Sequence, residues 1–250
     1  VDNGSPAPIQ ALCRRHGVRP LIQPKPGSYA ARNLGAKVAR APLLAFTDAD
    51  CRPHRDWLAQ ALAAAQAQPG IAAWGGRIDM PLGLEPTAVE RLDAHWGRNQ
   101  RRWVESEGWA DTANLAVRRN AWIRIHGFPE VLSGGDQLFG ARLRGSGLGL
   151  AYAHAMAVTH PPQRALGRFL TRQRRLAGSA RAQPGRLKPY LRETLLLLSG
   201  PLHPAWEYWR SGGRRSHGRP LDFILLRSVA RAVFWAEWLR LGLGGRPERR

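Results

Sequence analysis

Two aspartates separated by one alanine, Asp48-Ala49-Asp50, close the apolar run Leu43 to Thr47. Hard divalent cations take oxygen ligands, and Mg2+ is commonly held by one or two carboxylates together with substrate phosphates. A metal at such a pair would neutralise charge on a departing diphosphate. The same short pattern also suits a solvated turn, so the pair alone leaves both readings open. His160 follows a second strand-like run, residues 149–159. A histidine there either ligates a metal or is simply hydrogen-bonded.

These residues need elements to position them. Over the first 160 residues, short apolar runs alternate with helical patterns. Helices are expected over 9–16, 28–40, 55–68, 85–104, 120–126 and 136–144, and strands over 18–23, 43–47, 71–78, 114–117 and 149–159. Ser28 caps its helix, whose small residues Ala30, Ala31, Gly35 and Ala36 allow close packing. Such alternation predicts an α/β sandwich with a mixed, mostly parallel sheet flanked by helices. Ligands of such sheets bind at the carboxyl ends of strands, where Asp48, Asp50 and His160 fall.

The character changes after residue 162. Residues 163–180 read as a basic helix, 191–198 as a short apolar run, 211–219 as a Gly/Arg loop and 221–243 as a long apolar helix. The domain reading is therefore 1–162 for the catalytic α/β part and 163–250 for a basic, tryptophan-containing helical appendage. The 250-residue chain has a formal charge of +20, and residues 151–250 hold 19 basic against 5 acidic residues. A surface of that kind suits anionic lipid, an anionic substrate or nucleic acid. Arginine near the centre of a membrane-spanning helix costs about 2.5–3.5 kcal/mol, and Arg227 and Arg231 are interior to the last helix. That helix is expected to lie on a membrane surface, with Trp206, Trp209, Trp235 and Trp238 beside arginines; packing on the catalytic part is the alternative. Two cysteines far apart, Cys13 and Cys51, suggest no disulfide framework and fit a reducing, cytosolic setting.

The surroundings of the aspartate pair carry a resemblance. The run Gly27-Ser28-Tyr29-Ala30-Ala31-Arg32-Asn33-Leu34-Gly35, then the apolar strand and Asp48-Ala49-Asp50, resembles family 2 glycosyltransferases, inverting enzymes of the GT-A fold. Val1-Asp2-Asn3-Gly4-Ser5 is similar to the family's second-strand motif. Thr112 to Arg119 with Gly127-Phe128 resembles its N-L-A-x-R-R block, Gly135-Asp136 with Arg142-Leu143 its G-E-D block, and Val158-Thr159-His160 the V-x-H that follows. The blocks stand in order over about residues 1–180.

The resemblance implies roles. Asp2 would contact the nucleotide base, and Arg32 would stand beside base and phosphates. Asp48 would lie near the ribose and metal, Asp50 would ligate the metal directly, and His160 would be a third metal ligand. Asp136 would be the catalytic base, taking the proton of an acceptor hydroxyl that attacks the anomeric carbon opposite the diphosphate. Implied cofactors are Mg2+ or Mn2+ and a nucleotide-sugar donor, a UDP-sugar by default. Implied partners are a lipid-linked or polysaccharide acceptor and an anionic membrane surface, with the protein peripheral on the cytoplasmic face of the cell membrane. Three departures stand out. Gly135 replaces the first acid of the usual E-D pair, and Leu138 replaces a later one. Gln173-Arg174-Arg175-Leu176-Ala177 does not complete the Q-x-x-R-W of processive members, which argues for transfer of one sugar. The family's first strand and helix, which would precede Val1, are absent from the sequence, so an apparently truncated catalytic domain is expected.

Two other readings compete: a basic module binding nucleic acid or anionic membrane, and an inactive remnant of a transferase. No nucleic-acid motif is present, so nucleic acid is not expected as a partner. Asp48, Asp50 and Asp136 are intact, which argues against the remnant.

Overall fold

The computed structural model describes residues 1–5, 9–131, 133–181, 199–213 and 218–245, the side chains of residues 96 and 179–181 excepted. The expected apolar run over 191–198 lies outside the described residues. In chain order the elements are α1 (Gln10–Arg15), α2 (Ser28–Val38), β1 (Leu43–Thr47), β2 (Arg52–Pro53), α3 (Trp57–Ala67), β3 (Ile71–Asp79), α4 (Ala88–Trp96), α5 (Gln100–Arg102), β4 (Asn114–Arg118), α6 (Arg119–Arg124), α7 (Gly135–Gly145), β5 (Gly149–Thr159), α8 (Leu166–Arg181), α9 (Leu202–Arg210) and α10 (Pro220–Gly242). Two compact units form: Val1–Asp79 with Asn99–Thr159, and Met80–Arg98 with His160–Arg250.

The first unit is a five-stranded sheet in the order β1-β4-β3-β5-β2. Side chains alternate across strands, so each buried strand feeds two cores. Leu44 and Phe46 of β1 and Leu115 and Val117 of β4 pack with Tyr29 and Ala36 of α2, Trp122 of α6, and Phe139 and Leu143 of α7. Trp74 of β3 and Ala116 of β4 join Trp57, Ala61 and Ala65 of α3 in the second core. The sheet is thus flanked by helices, as the α/β reading expects.

Strand direction differs from that reading. Among the described ladders only β3–β5 is parallel; β1–β4, β3–β4 and β2–β5 are antiparallel. The first residue of β4, Asn114, stands opposite the last residue of β1, Thr47. A strand that begins where its neighbour ends must run against it, and alternation of strand and helix in a sequence carries no sign of direction. The expected strand over 18–23 is reduced to one parallel bridge, Asp2 with Ile22.

Paired basic residues tie this layer together. Arg118 donates to the carbonyls of Ile71 at 2.8 Å and Ala65 at 2.7 Å, fastening the end of α3 to the start of β3. Its guanidinium also lies over the Trp74 ring, 5.2 Å from the centroid. Arg119 donates to the carbonyl of Ala39, just past α2, at 3.0 Å.

The β3–β5 ladder jumps between Gly76, paired with Ala153, and Arg77, paired with Ala157. The jump deprives carbonyls of ladder partners, and Asn114 supplies them. Its Nδ2 donates to Arg77 O and Met156 O, both at 2.8 Å. Its Oδ1 accepts from Trp57 Nε1 at 2.8 Å. Gly76 makes room for this amide: a Cβ there would lie 2.2 Å from Met156 O and 2.4 Å from Asn114 Nδ2.

The expected helix over 85–104 is split. Thr87 and Glu90 form a reciprocal capping box that starts α4, and the chain leaves helical geometry at Gly97. It resumes in α5 and a π-helical turn, Trp103–Glu107. Only the first piece belongs to the second unit.

The second unit is helical, with Val89 and Leu92 of α4, Phe169 of α8, Tyr208 of α9, and Phe223 and Ala230 of α10 at its centre. Buried Asp93 accepts from Gln163 N at 2.7 Å and pairs with Arg172. Two arginines of α10 turn inward: Arg227 lies 3.1 Å and Arg231 3.4 Å from the Glu207 carboxylate. These are the two charges that argued against a membrane crossing, and α9 answers them. Among the described residues no helix is long and apolar enough to cross a membrane.

Candidate active site

The end of β1 and the middle of α2 meet through charge. Arg32 Nη2 donates to Asp48 Oδ1 at 2.5 Å, with both side chains about one-fifth exposed or less. The guanidinium also sits over the Tyr29 ring, 5.4 Å from its centroid. Neighbouring Asn33 grips the backbone of Phe128, donating to its carbonyl at 2.8 Å and accepting from its N–H at 2.9 Å. This fixes the rotation of α2 about its axis and so the direction of Arg32.

Asp136 stands in the first turn of α7. Its Oδ1 is shut off from solvent with no hydrogen-bond partner. Burial pushes its pKa up to about 7; the nearby charge of Asp111 adds to the rise and Arg32 and the Thr112 hydroxyl oppose it. The Tyr29 hydroxyl accepts the Asp136 backbone N–H at 3.3 Å. Burial, then Asp136, hold the Tyr29 phenol protonated. A Cβ on Gly135 would lie 2.5 Å from the Tyr29 ring, so the tyrosine fills the space where a side chain at 135 would begin.

Sequence reasoning placed Arg32, Asp48 and Asp136 in one site, and the structure brings them into one electrostatic group. It adds residues that reasoning missed: Tyr29, Asp111 and Thr112. Asp111 stands one residue before the block beginning at Thr112, and nothing in its type or spacing singled it out.

Asp50 is exposed just beyond β1, within a turn closed by the Cys51 N–H bonding Asp48 O at 3.1 Å. The chain then enters β2, where Arg52 pairs with Thr159. His160, next after Thr159, is buried, and Arg98 Nη2 lies 3.0 Å from its Nε2. A guanidinium can only donate, so Nε2 is the unprotonated nitrogen. Carboxylate oxygens suit Mg2+ or Mn2+, and a neutral imidazole is a common ligand of transition metals rather than of Mg2+. Nε2 could serve only if Arg98 moved aside.

Asp2 lies on the bridge to Ile22, with its carboxylate accepting the Ser5 N–H at 2.9 Å. That bond holds its pKa below the ordinary value. Asn3 was not singled out, yet its amide donates to Gln23 O and Lys25 O and accepts from Gly27 N at 2.8 Å. It fastens the first residues to the loop that starts α2.

A mixed sheet with helices on both faces, and acidic residues at the end of β1 and the start of α7, is an α/β architecture of the GT-A class. A mannosyltransferase from Pyrobaculum calidifontis, solved in complex with GDP-Man and Mn2+, shares it: the TM-score is 0.58 and the identity 18%, over 95% of this chain and 74% of that one. The chain belongs to glycosyl transferase family 2, whose model matches residues 1–125. It is 32% identical over 183 residues to the glycosyltransferase AglE of Haloferax volcanii, covering 70% of this chain and 60% of that protein. It is 27% identical over 250 residues to the pre-mycofactocin glycosyltransferase of Mycobacterium tuberculosis, covering 95% of this chain and 53% of that protein. The chain therefore spans little more than half the length of these relatives.

Proposed function

We propose that the protein is a metal-assisted, inverting glycosyltransferase that moves one sugar from a nucleotide-diphosphate donor to a hydroxyl of a lipid-linked or polysaccharide acceptor. The observation that carries this reading is the Arg32–Asp48–Asp136 group: a cation for phosphate beside a half-buried carboxylate, one oxygen of which is shut off from solvent, with its pKa raised to about 7. Asp136 is the base. It takes the acceptor proton while the acceptor oxygen attacks one face of the anomeric carbon, which inverts the configuration. Arg32 leaves Asp48 for the donor phosphates, a cation exchanging one anion for another. Tyr29 holds the start of α7 through its hydroxyl and packs its ring against Gly135. Asp2 contacts the base of the nucleotide.

Asp50, Asp48 and His160 would hold Mg2+ or Mn2+. The pairing of Arg52 with Thr159 supports this, because it starts both flanking segments from the same end of one ladder. When bound, the metal supplies charge neutralisation to the leaving diphosphate. The donor is read as a UDP-sugar; the GDP-Man named with the Pyrobaculum calidifontis structure makes GDP the first alternative to assay.

The catalytic part is taken as 1–162, with 163–250 placing it peripherally on the cytoplasmic face of a membrane. Leu202, Trp206 and Trp209 support that placement, being exposed at helical spacing on one side of α9.

The deciding assay uses the full-length protein with Mn2+ or Mg2+, a panel of UDP-, GDP- and dTDP-sugars, and Asp50→Ala as control. Donor turnover that the substitution abolishes is expected. No donor bound or hydrolysed, or an Asp50→Ala protein indistinguishable from the parent, defeats the reading.

A further inference from the structure

The end of the sheet away from Asp48 holds a cavity of its own. β1 and β4 pair Thr47 with Asn114 and Leu43 with Arg118, so Arg118 closes β4 at the opposite end from Asp48. Beside it a cavity of about 270 Å³ is lined by Ile71, Ala121 and Leu148 and by three polar side chains, Arg118, Asn120 and Arg124. No acidic residue lines it. Arg118 is fixed by the carbonyls of Ile71 and Ala65 and by the Trp74 ring that its guanidinium covers. Arg124 donates to Ser146 O at 3.0 Å through Nη2. Among the described residues neither guanidinium is in an ion pair. A guanidinium carries five N–H donors and keeps its charge at any ordinary pH, so these carbonyls occupy some donors and cancel none of the charge. Asn120 commits its Oδ1 to the Ala121 N–H at 2.7 Å, which leaves its Nδ2 as the end able to meet a ligand.

We propose that this cavity is a binding site for a small phosphate monoester, separate from the donor site. Two uncompensated guanidiniums, one at the end of β4 and one on α6, suit a doubly charged group, and their forked donors match the oxygens of a phosphate. The apolar wall of Ile71, Ala121 and Leu148 offers contact to a short carbon body. The volume lies just under the range of about 300–1,000 Å³ usual for drug-sized ligands, so the ligand is smaller than a nucleotide sugar. None of the residues assigned to the donor, the metal or the base lines the cavity, and the site stands whether or not the transferase reading holds.

The bland role of these arginines is to tie carbonyls and face water. The experiment that separates the two roles adds glycerol 3-phosphate to the full chain, with sodium chloride at matched ionic strength as control, and follows the arginine Nε–Hε signals by NMR. The Arg118 and Arg124 signals are assigned by their loss in Arg118→Lys and Arg124→Gln. Both are expected to move and to saturate with the ester, and neither with chloride. In Arg124→Gln the midpoint read at Arg118 should rise about tenfold, the loss of one charge-assisted contact. Gly70, also on the wall, supplies a second variant, because a Cβ there would meet nothing within 4 Å. Gly70→Leu keeps both arginines and takes up space, so it should weaken the ester more than inorganic phosphate. Shifts that do not saturate, or that persist unchanged in Arg124→Gln, overturn the proposal. Inorganic phosphate binding as tightly as the ester, with Gly70→Leu without effect, shows an adventitious ion only and overturns it too. A response confined to Arg32, with Arg118 and Arg124 still, puts the anion in the donor site and likewise defeats it.

Discussion

Arg32 donates to Asp48 at 2.5 Å, joining the middle of α2 to the end of β1 before any ligand arrives. Two jobs share that one guanidinium: it neutralises a carboxylate in the unliganded protein and offers a cation to donor phosphates.

Replacing Arg32 by alanine should therefore cost twice. Asp48 loses one partner in a partly buried setting, for a stability loss of about 1–2 kcal/mol. The donor loses a charge-assisted contact, and KM for the nucleotide sugar should rise about tenfold. Urea midpoints and donor titrations report the two separately; a KM equal to the parent's would remove Arg32 from the donor site.

Asp136→Asn should abolish most transfer, by about 10²–10⁴-fold. It should also stabilise the fold at alkaline pH. Burial raises the carboxyl pKa from its ordinary 3.8 to about 7, so the folded state binds the proton more tightly than the unfolded chain. Stability from this group is complete below about 3.8 and is lost as pH rises toward about 7. At pH 8 the asparagine protein should gain about 1–3 kcal/mol over the parent, and at pH 4 almost nothing. Thermal melts at the two pH values show the difference, and equal gains would contradict it.

Asn114→Ala removes the partners of Arg77 O, Met156 O and the Trp57 indole at once. Each buried polar group left unsatisfied costs about 1–3 kcal/mol, so a loss of about 3 kcal/mol or more is expected by urea denaturation. A change under about 1 kcal/mol would mean that the ladder closes without the amide.

Glu207→Gln tests the second unit. Arg231 is only 4% exposed and Arg227 15%, and both face this carboxylate. Removing one partner of a buried ion pair costs about 3–5 kcal/mol, and glutamine keeps an amide oxygen for the two guanidiniums, which puts the expectation at the lower end. A melting temperature unchanged by the substitution would show that the pairs contribute little.

Much of this was legible in the sequence. The apolar run before Asp48 and the helical spacing after Ser28 determine β1 and α2, and that much places Arg32 and Asp48. Asp111 was not legible, because its place is fixed by two backbone hydrogen bonds with the side chain of Gln100, eleven residues earlier in a helix piece that itself read as part of a longer helix. The inward turn of Arg227 and Arg231 was not legible either: an arginine on an apolar helix reads as surface until its acid, here on another helix, is known. Strand direction escaped for a similar reason. Period-2 burial tells which residues face a core, while parallel or antiparallel pairing depends on where the connecting chain re-enters the sheet.

The jump in the β3–β5 ladder has one more effect. Before it, the even-numbered residues of β5, Leu150 and Tyr152, pack with the core of α2, α6 and α7. After it, the even-numbered Met156 and Val158 belong to the opposite core, under α3. The irregularity is a phase inverter: an odd number of extra residues hands each later side chain to the other side of the sheet. Deleting a single residue among 154–156 would therefore do more than shorten a strand. It would restore the original parity, turn Val158 out of its core, and change the side from which the chain emerges after Thr159.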